Sequence, residues 1–272
     1  MTAVNAGSAR SFLFVPGDRP ERFAKAAASG ADAVVLDLED AVAPGAKAQA
    51  LEHVVAWLGA GNAAVVRVNG VGTATHDAEL AALAGTGAVV MLPKTDSAAQ
   101  VAAVGARVGA VLALVETPRG VVAADEIAAA GVVRLALGTV DLAADLGVDP
   151  ASRTAFAYSR GRLVMASAAA GLPGPLDGVT VRLDDPAVLD ADLAHARELG
   201  LGGKLCIHPK QVPAVNAAFS PSAAELAWGE RIVAAAAASS SGVVVVDGAM
   251  VDAPVVTRAR RVLSLVRPRP RP

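Results

Sequence analysis

Two carboxylates and one guanidinium stand out in this 272-residue chain because their neighbours are apolar. Glu116 closes the run Val111 to Val115, Asp141 follows shortly after the run Val133 to Leu137, and Arg67 is flanked by Val65, Val66 and Val68. Charges set in such runs are costly to bury unless they are paired or bind a ligand. Two carboxylates ending adjacent strands suit Mg2+, which takes oxygen ligands and keeps positions open for water and substrate. The alternative is a buried carboxylate paired with Arg67 or Lys94. Arg67 offers a planar fork of donors that matches a substrate carboxylate. Its alternative is an ion pair with Asp37 or Glu39, and both roles can coexist on different edges of one guanidinium.

Other residues carry weaker signals. Phe14, Arg19 and Lys25 surround one turn, and the two cations could face a phosphate-rich ligand near a helix start, or remain solvated. Asp18, Asp37, Glu39, Asp40, Asn69, Lys94, Thr117 and Thr139 also fall where runs end. His208, in Cys-Ile-His-Pro, has no second His or Cys close in sequence to suggest zinc, and a structural hydrogen-bonding role suits it best. Ser159 and Ser167 lie in no nucleophile-elbow context.

The elements that must position these groups alternate strictly. Short β-rich runs cover Ser11–Val15, Ala33–Leu38, Ala64–Val68, Ala88–Leu92, Val111–Val115, Val133–Leu137, Gly178–Val181 and Lys204–Ile207. Between them, helical patterns cover Pro20–Ser29, Gly45–Leu58, His76–Leu83, Ser97–Val108, Val121–Ala130, Ala155–Ala170 (after a long loop) and Pro186–Leu199. Near-continuous apolar strands indicate a parallel sheet buried on both faces. Eight such units predict an α/β fold, a closed (β/α)8 TIM barrel, in which chemistry sits at the C-terminal strand ends. An open doubly wound sheet usually carries a Gly-rich first turn, and Val-Pro-Gly-Asp stands there instead. The barrel is predicted over residues 1–220. Residues 221–272 form a C-terminal helical extension, with a helix over Ala223–Ala238, a polar stretch Ser239–Gly242, an apolar run Val243–Val246 and a last helix over Val255–Leu265.

Composition narrows the function classes. Hydrophobic residues are 54% and aromatics only 3%, so Ala, Val and Leu must build the core. The formal net charge of −2 and the absence of a long basic run argue against nucleic acid. The Arg/Pro tail Arg267–Pro272 reads as a frayed end. One cysteine, Cys206, permits no intramolecular disulfide. The start has no signal-peptide pattern, and no apolar run approaches the roughly 20 residues of a membrane span. A soluble cytoplasmic protein is expected.

Seven blocks in order give a more specific reading: Phe-Val-Pro-Gly-Asp-Arg-Pro-Glu-Arg-Phe (14–23), Leu-Asp-Leu-Glu-Asp-Ala-Val (36–42), Val-Arg-Val-Asn-Gly (66–70), Met-Leu-Pro-Lys (91–94), Leu-Val-Glu-Thr-Pro-Arg-Gly (114–120), Cys-Ile-His-Pro (206–209) and Gly-Ala-Met-Val-Asp-Ala-Pro (248–254). Together they resemble the citrate lyase β-subunit-like family, relatives of malyl-CoA and citramalyl-CoA lyases in the HpcH/HpaI aldolase superfamily. The resemblance implies Mg2+ on Glu116 and Asp141, a substrate carboxylate gripped by Arg67, and CoA contacts from Phe14, Arg19 and Lys25. It implies that Asp252 enters a neighbouring subunit's site as an acid/base group, in a trimer or hexamer. The implied reaction is reversible cleavage of a 3-hydroxyacyl-CoA thioester, such as malyl-, citramalyl- or 3-hydroxy-3-methylglutaryl-CoA, to an acyl-CoA and an oxo acid. The backbone amides of Gly138, Thr139 and Val140 are expected to help hold the oxo acid. Alternatives are the β subunit of a citrate lyase complex, an aldolase on free hydroxy-oxo acids, and a catalytically silent scaffold. One departure is visible: the family's Gly-x-Glu-Asp-Leu reads Gly138-Thr139-Val140-Asp141-Leu142 here.

Overall fold

A computed structural model describes residues 4–239 and 242–265; the Arg/Pro tail predicted to fray lies outside them. The chain divides into two compact units, 1–216 and 217–272.

In the first unit, β1 (Ser11–Pro16), β2 (Ala33–Asp37), β3 (Val65–Arg67), β4 (Val89–Leu92), β5 (Val111–Val115), β6 (Arg134–Leu137), β7 (Leu176–Asp177) and β8 (Gly203–Cys206) form a closed barrel in sequence order. Every pairing is parallel, and β8 closes on β1 through Ser11, Phe12 and Leu13. The helices are α1 (Phe23–Ala27), α2 (Lys47–Gly59), α3 (His76–Leu83), α4 (Ala98–Val108), α5 (Pro118–Val122), α6 (Ala124–Ala129), α7 (Thr139–Leu146), α8 (Ala157–Ala169), α9 (Pro186–Leu199) and α10 (Val212–Ala218). The second unit holds α11 (Ala223–Ala238), the hairpin β9 (Val244–Val246) and β10 (Ala249–Val251), and α12 (Ala253–Ser264).

The barrel forms because its strands are apolar on both faces. Phe12, Val35, Val65, Met91, Leu112, Leu114, Ala136, Leu176 and Leu205 pack together inside, while alternate residues such as Leu36, Val66, Val90 and Leu135 are equally buried, the two-sided burial a helix-covered parallel sheet requires. Gly17 in the first turn is dictated by closeness: its N–H donates to Asp37 O at 2.8 Å, and a Cβ there would lie 2.8 Å from the same oxygen.

The floor of the barrel is plugged by residues 4–9. Ala6 and Ala9 join the interior core, and Arg134, 1% exposed, donates to Ala6 O (3.1 Å), Ala9 O (2.6 Å) and Gly174 O (2.8 Å). A guanidinium serves here because three carbonyls, two of them buried, need donors from one side chain. Arg134→Met should cost about 3 kcal/mol or more by orphaning them, read as a lower urea midpoint; an unchanged midpoint would remove this residue from the account of stability. On the outer side of the barrel, Asp177 takes Arg160 Nε at 2.7 Å and Lys204 Nζ at 3.0 Å. Burial pushes the Asp177 carboxyl up, but Lys204 and Arg160 outweigh it and hold it below its usual range.

Three expectations need correction. The seventh strand is Leu176–Asp177, not Gly178–Val181. Backbone carbonyls of the expected segment bond to side chains instead of a ladder: Gly178 O accepts from Lys204 Nζ and Thr180 O from Gln211 Nε2. The helix predicted over Val121–Ala130 is two short helices that meet at Ala123. The long loop after β6 contains α7, whose run Thr139–Leu146 includes the site residues themselves.

Cys206 is buried, and loss of solvation pushes its thiol up to about 12. The native protein should therefore resist a thiol-specific reagent at pH 8, with one equivalent reacting after denaturation; rapid native labelling would contradict this burial.

Candidate active site

The charged strand ends converge on one cavity of about 350 Å³ at the C-terminal mouth of the barrel. Arg67, Glu116 and Asp141 line it, with Asp37 and Asp40 on the charged side and Phe14, Leu114, Val140, Val179, Leu205 and Ile207 on the apolar side.

Arg67 ends β3 and is held from behind. Its Nε and Nη2 donate to Asp37 at 2.7 and 2.6 Å, a bidentate pair with the acid only 1% exposed. Its Nη1 lies 3.1 Å from Glu39 Oε2 and 3.6 Å from Asp40 Oδ2, and its guanidinium carbon sits 4.9 Å over the Phe14 ring. The ion-pair reading holds, with one edge of the guanidinium fixed by Asp37, and Arg67 also lines the cavity. The Nη1–Glu39 approach lies off the N–H direction, which leaves that carboxylate oxygen without a hydrogen bond. Burial disfavours the guanidinium charge, yet Asp37 first and then Glu39 hold it firmly protonated.

Glu116 follows β5 and is 2% exposed. Its Oε1 accepts from the backbone N–H of Lys94 at 2.9 Å. Burial first, then the charge of Asp141, raises its carboxyl to about 8. Asp141 does not end β6 as expected; it sits in the first turn of α7, and its side chain is 38% exposed. Gly138 is required between them. A Cβ there would overlap Glu116 Oε2 and lie 2.6 Å from Glu116 Cβ.

These donors fit Mg2+. Two carboxylates pushed together, one of them buried and disfavoured as an anion, are stabilised by a divalent cation. No cluster of three or more His, Cys, Asp or Glu suited to a metal occurs among the described residues. A pair of carboxylates leaves positions that substrate and water can complete around such an ion.

Of the three amides expected to bind an oxo acid, Gly138 is already engaged, donating to Val115 O at 3.0 Å. Those of Thr139 and Val140 lie in the first turn of α7, where intrahelical acceptors are lacking. Phe14 lines the cavity, whereas Arg19 and Lys25 are exposed and outside its lining. Asp252 caps α12 in the second unit, accepting from Val255 N at 3.3 Å. His208 caps a short turn: its Nδ1 accepts from Lys210 N at 3.1 Å, and Gln211 Oε1 accepts from His208 N.

Sequence reasoning understated Lys94 and the layer beneath the rim. Lys47 Nζ donates to Leu38 O, Glu39 O and Asn69 Oδ1, and Asn69 donates to Glu79. This network fixes the Asp37–Asp40 turn. The signal was there in Lys47, Asn69 and Glu79, polar residues that one sequence does not set apart from surface ones.

The profile of the HpcH/HpaI aldolase/citrate lyase family matches residues 10–209. The chain belongs to that family. Membership makes it an enzyme of the carbon–carbon lyase type. A citrate lyase subunit beta-like protein of Mycobacterium tuberculosis is 44% identical over 260 residues, covering 93% of each chain. A (3S)-malyl-CoA thioesterase of Cereibacter sphaeroides is 37% identical over 267 residues, covering 94% of this chain and 93% of its own. Among family structures, CitE of M. tuberculosis in complex with magnesium, acetoacetate and coenzyme A superposes with a TM-score of 0.82 at 40% identity, covering 96% of this chain and 98% of that one. A citrate lyase beta subunit complexed with oxaloacetate and magnesium, also from M. tuberculosis, gives 0.71 at 41% identity, covering 80% and 99%. No helix among the described residues is long and apolar enough to cross a membrane.

Proposed function

We propose that this protein is a Mg2+-dependent lyase that reversibly cleaves a 3-hydroxyacyl-CoA thioester into an acyl-CoA and an oxo acid. The observation that carries the proposal is the shared cavity: Arg67, Glu116 and Asp141 face one space beside an apolar wall. Relatives crystallised with magnesium, coenzyme A and oxo acids support it.

Glu116 and Asp141 would hold the cation, which supplies Lewis acidity toward the substrate's hydroxyl and carboxylate oxygens. Arg67, fixed by Asp37, holds the carboxylate through Nη1 and converts affinity into orientation. The N–H groups of Thr139 and Val140 add donors from the α7 terminus, with Val140 setting the rim where other members carry an acid. In cleavage, the bond between the hydroxyl-bearing carbon and the thioester α-carbon breaks. Its electron pair moves to the α-carbon as an enolate, and the hydroxyl proton passes to a solvent water as the carbonyl forms. Asp252 of a neighbouring copy delivers a proton to that α-carbon, and takes one from the acyl-CoA methyl in condensation. Phe14, Arg19 and Lys25 receive the CoA moiety at the rim, the two cations remaining solvent-facing as phosphate contacts require. On this reading residues 221–272 complete a neighbour's site within a trimer or hexamer of a cytoplasmic enzyme.

A second reading, hydrolysis of malyl-CoA, is favoured by the thioesterase relative. Malyl-, citramalyl- and 3-hydroxy-3-methylglutaryl-CoA, each assayed with Mg2+ and with EDTA, separate the two. The lyase yields equal amounts of oxo acid and acyl-CoA, only with metal; a thioesterase yields free CoA without oxo acid. Turnover of a carrier-protein thioester alone would instead place the chain in a citrate lyase complex.

A further inference from the structure

Lys94 has a conformation and surroundings that its position after a strand does not require. Its backbone is left-handed, with φ +48°, a region costly for a residue with a Cβ and commonest at functional sites. The conformation aims its N–H at Glu116 Oε1, 2.9 Å away. Its side chain reaches the same acids: Nζ donates to Glu39 Oε1 at 2.8 Å, and lies 3.9 Å from Glu116 Oε1 and 3.8 Å from Asp141 Oδ1. Glu39 in turn meets Arg67 Nη1. One residue thus touches both acids assigned to the cation and joins them to the guanidinium clamp.

We propose that Lys94 is a positioning residue that sets the affinity of the Glu116–Asp141 pair for its cation; this rests on reading that pair as the Mg2+ site. The backbone half fixes the Glu116 carboxylate. The ammonium half stands between the acids as a built-in counter-charge, so an arriving divalent ion meets a like charge close to both of its ligands. Five acids (Asp37, Glu39, Asp40, Glu116, Asp141) share two cations, Arg67 and Lys94, through these contacts. Lys94 therefore keeps the metal-free site assembled and keeps metal binding exchangeable. Removing the ammonium lifts the repulsion and frees Glu39 as a further anion, and both changes favour the divalent ion.

The test is metal affinity, measured by Mn2+ electron paramagnetic resonance and Mg2+ competition on the full chain. Lys94→Met keeps the stem and removes the charge, and should bind Mn2+ at least about tenfold more tightly than wild type. Lys94→Gly, which relaxes the left-handed backbone, should tighten in the same direction and guards against misfolding of the first variant. Lys94→Arg should retain wild-type affinity. The rise in melting temperature on adding a fixed Mg2+ concentration should be larger in Lys94→Met and Lys94→Gly than in wild type, as tighter binding to the folded state demands. Unchanged or weaker binding in both folded variants would overturn the inference alone. No metal binding in any form, wild type included, would overturn the metal site and this inference with it.

Discussion

Glu116→Gln should lower kcat/KM by at least about a thousandfold, some 4 kcal/mol of transition-state stabilisation, and should at the same time stabilise the metal-free protein. The two effects have one cause. Glu116 is buried beside Asp141, and its carboxyl is raised from 4.5 to about 8. A group whose pKa is higher folded than unfolded contributes stability that is fully present below the unfolded value and is lost as pH rises through the folded one. Metal-free wild type should therefore lose a few kcal/mol from this group between about pH 4.5 and 8, and level off above that. Glutamine carries no such charge, so the variant's stability should fall less over the same range. Mg2+ should erase the difference by favouring the carboxylate. Steady-state turnover reads the first effect, and urea unfolding in EDTA at pH 5, 7 and 9 reads the second. Parallel pH curves for the two proteins would sink the electrostatic account of the site, and full activity in the variant would sink the metal assignment.

How much of this was legible beforehand depends on which physical signal each part carries. Strands β1 to β6 and β8 announce themselves, because burial on both faces leaves unbroken apolar runs bounded by turns. Strand β7 does not: only Leu176 and Asp177 pair, and the Val-rich segment after them looks more strand-like but spends its carbonyls on Lys204 and Gln211. Helix α7 is short and its N-cap position is Gly138, so no side-chain cap marks it. Arg67, Glu116 and Asp141 could be picked out because charge interrupting or ending an apolar run needs a partner. That Arg67 would be gripped by Asp37 at two points, or that Lys94 would turn left-handed to reach Glu116, is set by the closure of the barrel. Only the parallel registry of β2 and β3 brings Arg67 beside Asp37. The seven motif blocks carried the family, since they fix residue identities, six of them within the barrel unit, and not merely the period of the strands.

Mixing two inactive variants should restore activity that neither has alone. Asp252→Asn removes the acid/base group proposed to reach a neighbour's site, and Arg67→Ala removes the clamp within its own barrel. Each pure variant should fall by at least about a hundredfold, the scale at which proton transfer and carboxylate orientation contribute. If a site takes Arg67 from one copy and Asp252 from the next, an exchanged equimolar mixture contains intact sites wherever an Asp252→Asn barrel borders an Arg67→Ala extension. Random assembly of a ring gives roughly one site in four that has both residues. Recovery near a quarter of wild-type turnover is thus expected, far above the sum of the parts. The two variants differ in a further way: Asp252→Asn should still bind an oxo acid with Mg2+, because Arg67, Glu116 and Asp141 remain on one cavity, whereas Arg67→Ala should not. Arg67→Ala also leaves Asp37 buried without its partner, so its folded state must be confirmed by unfolding before mixing. Exchange without recovery, shown by mass spectrometry of tagged chains, would mean that Asp252 serves its own barrel or none.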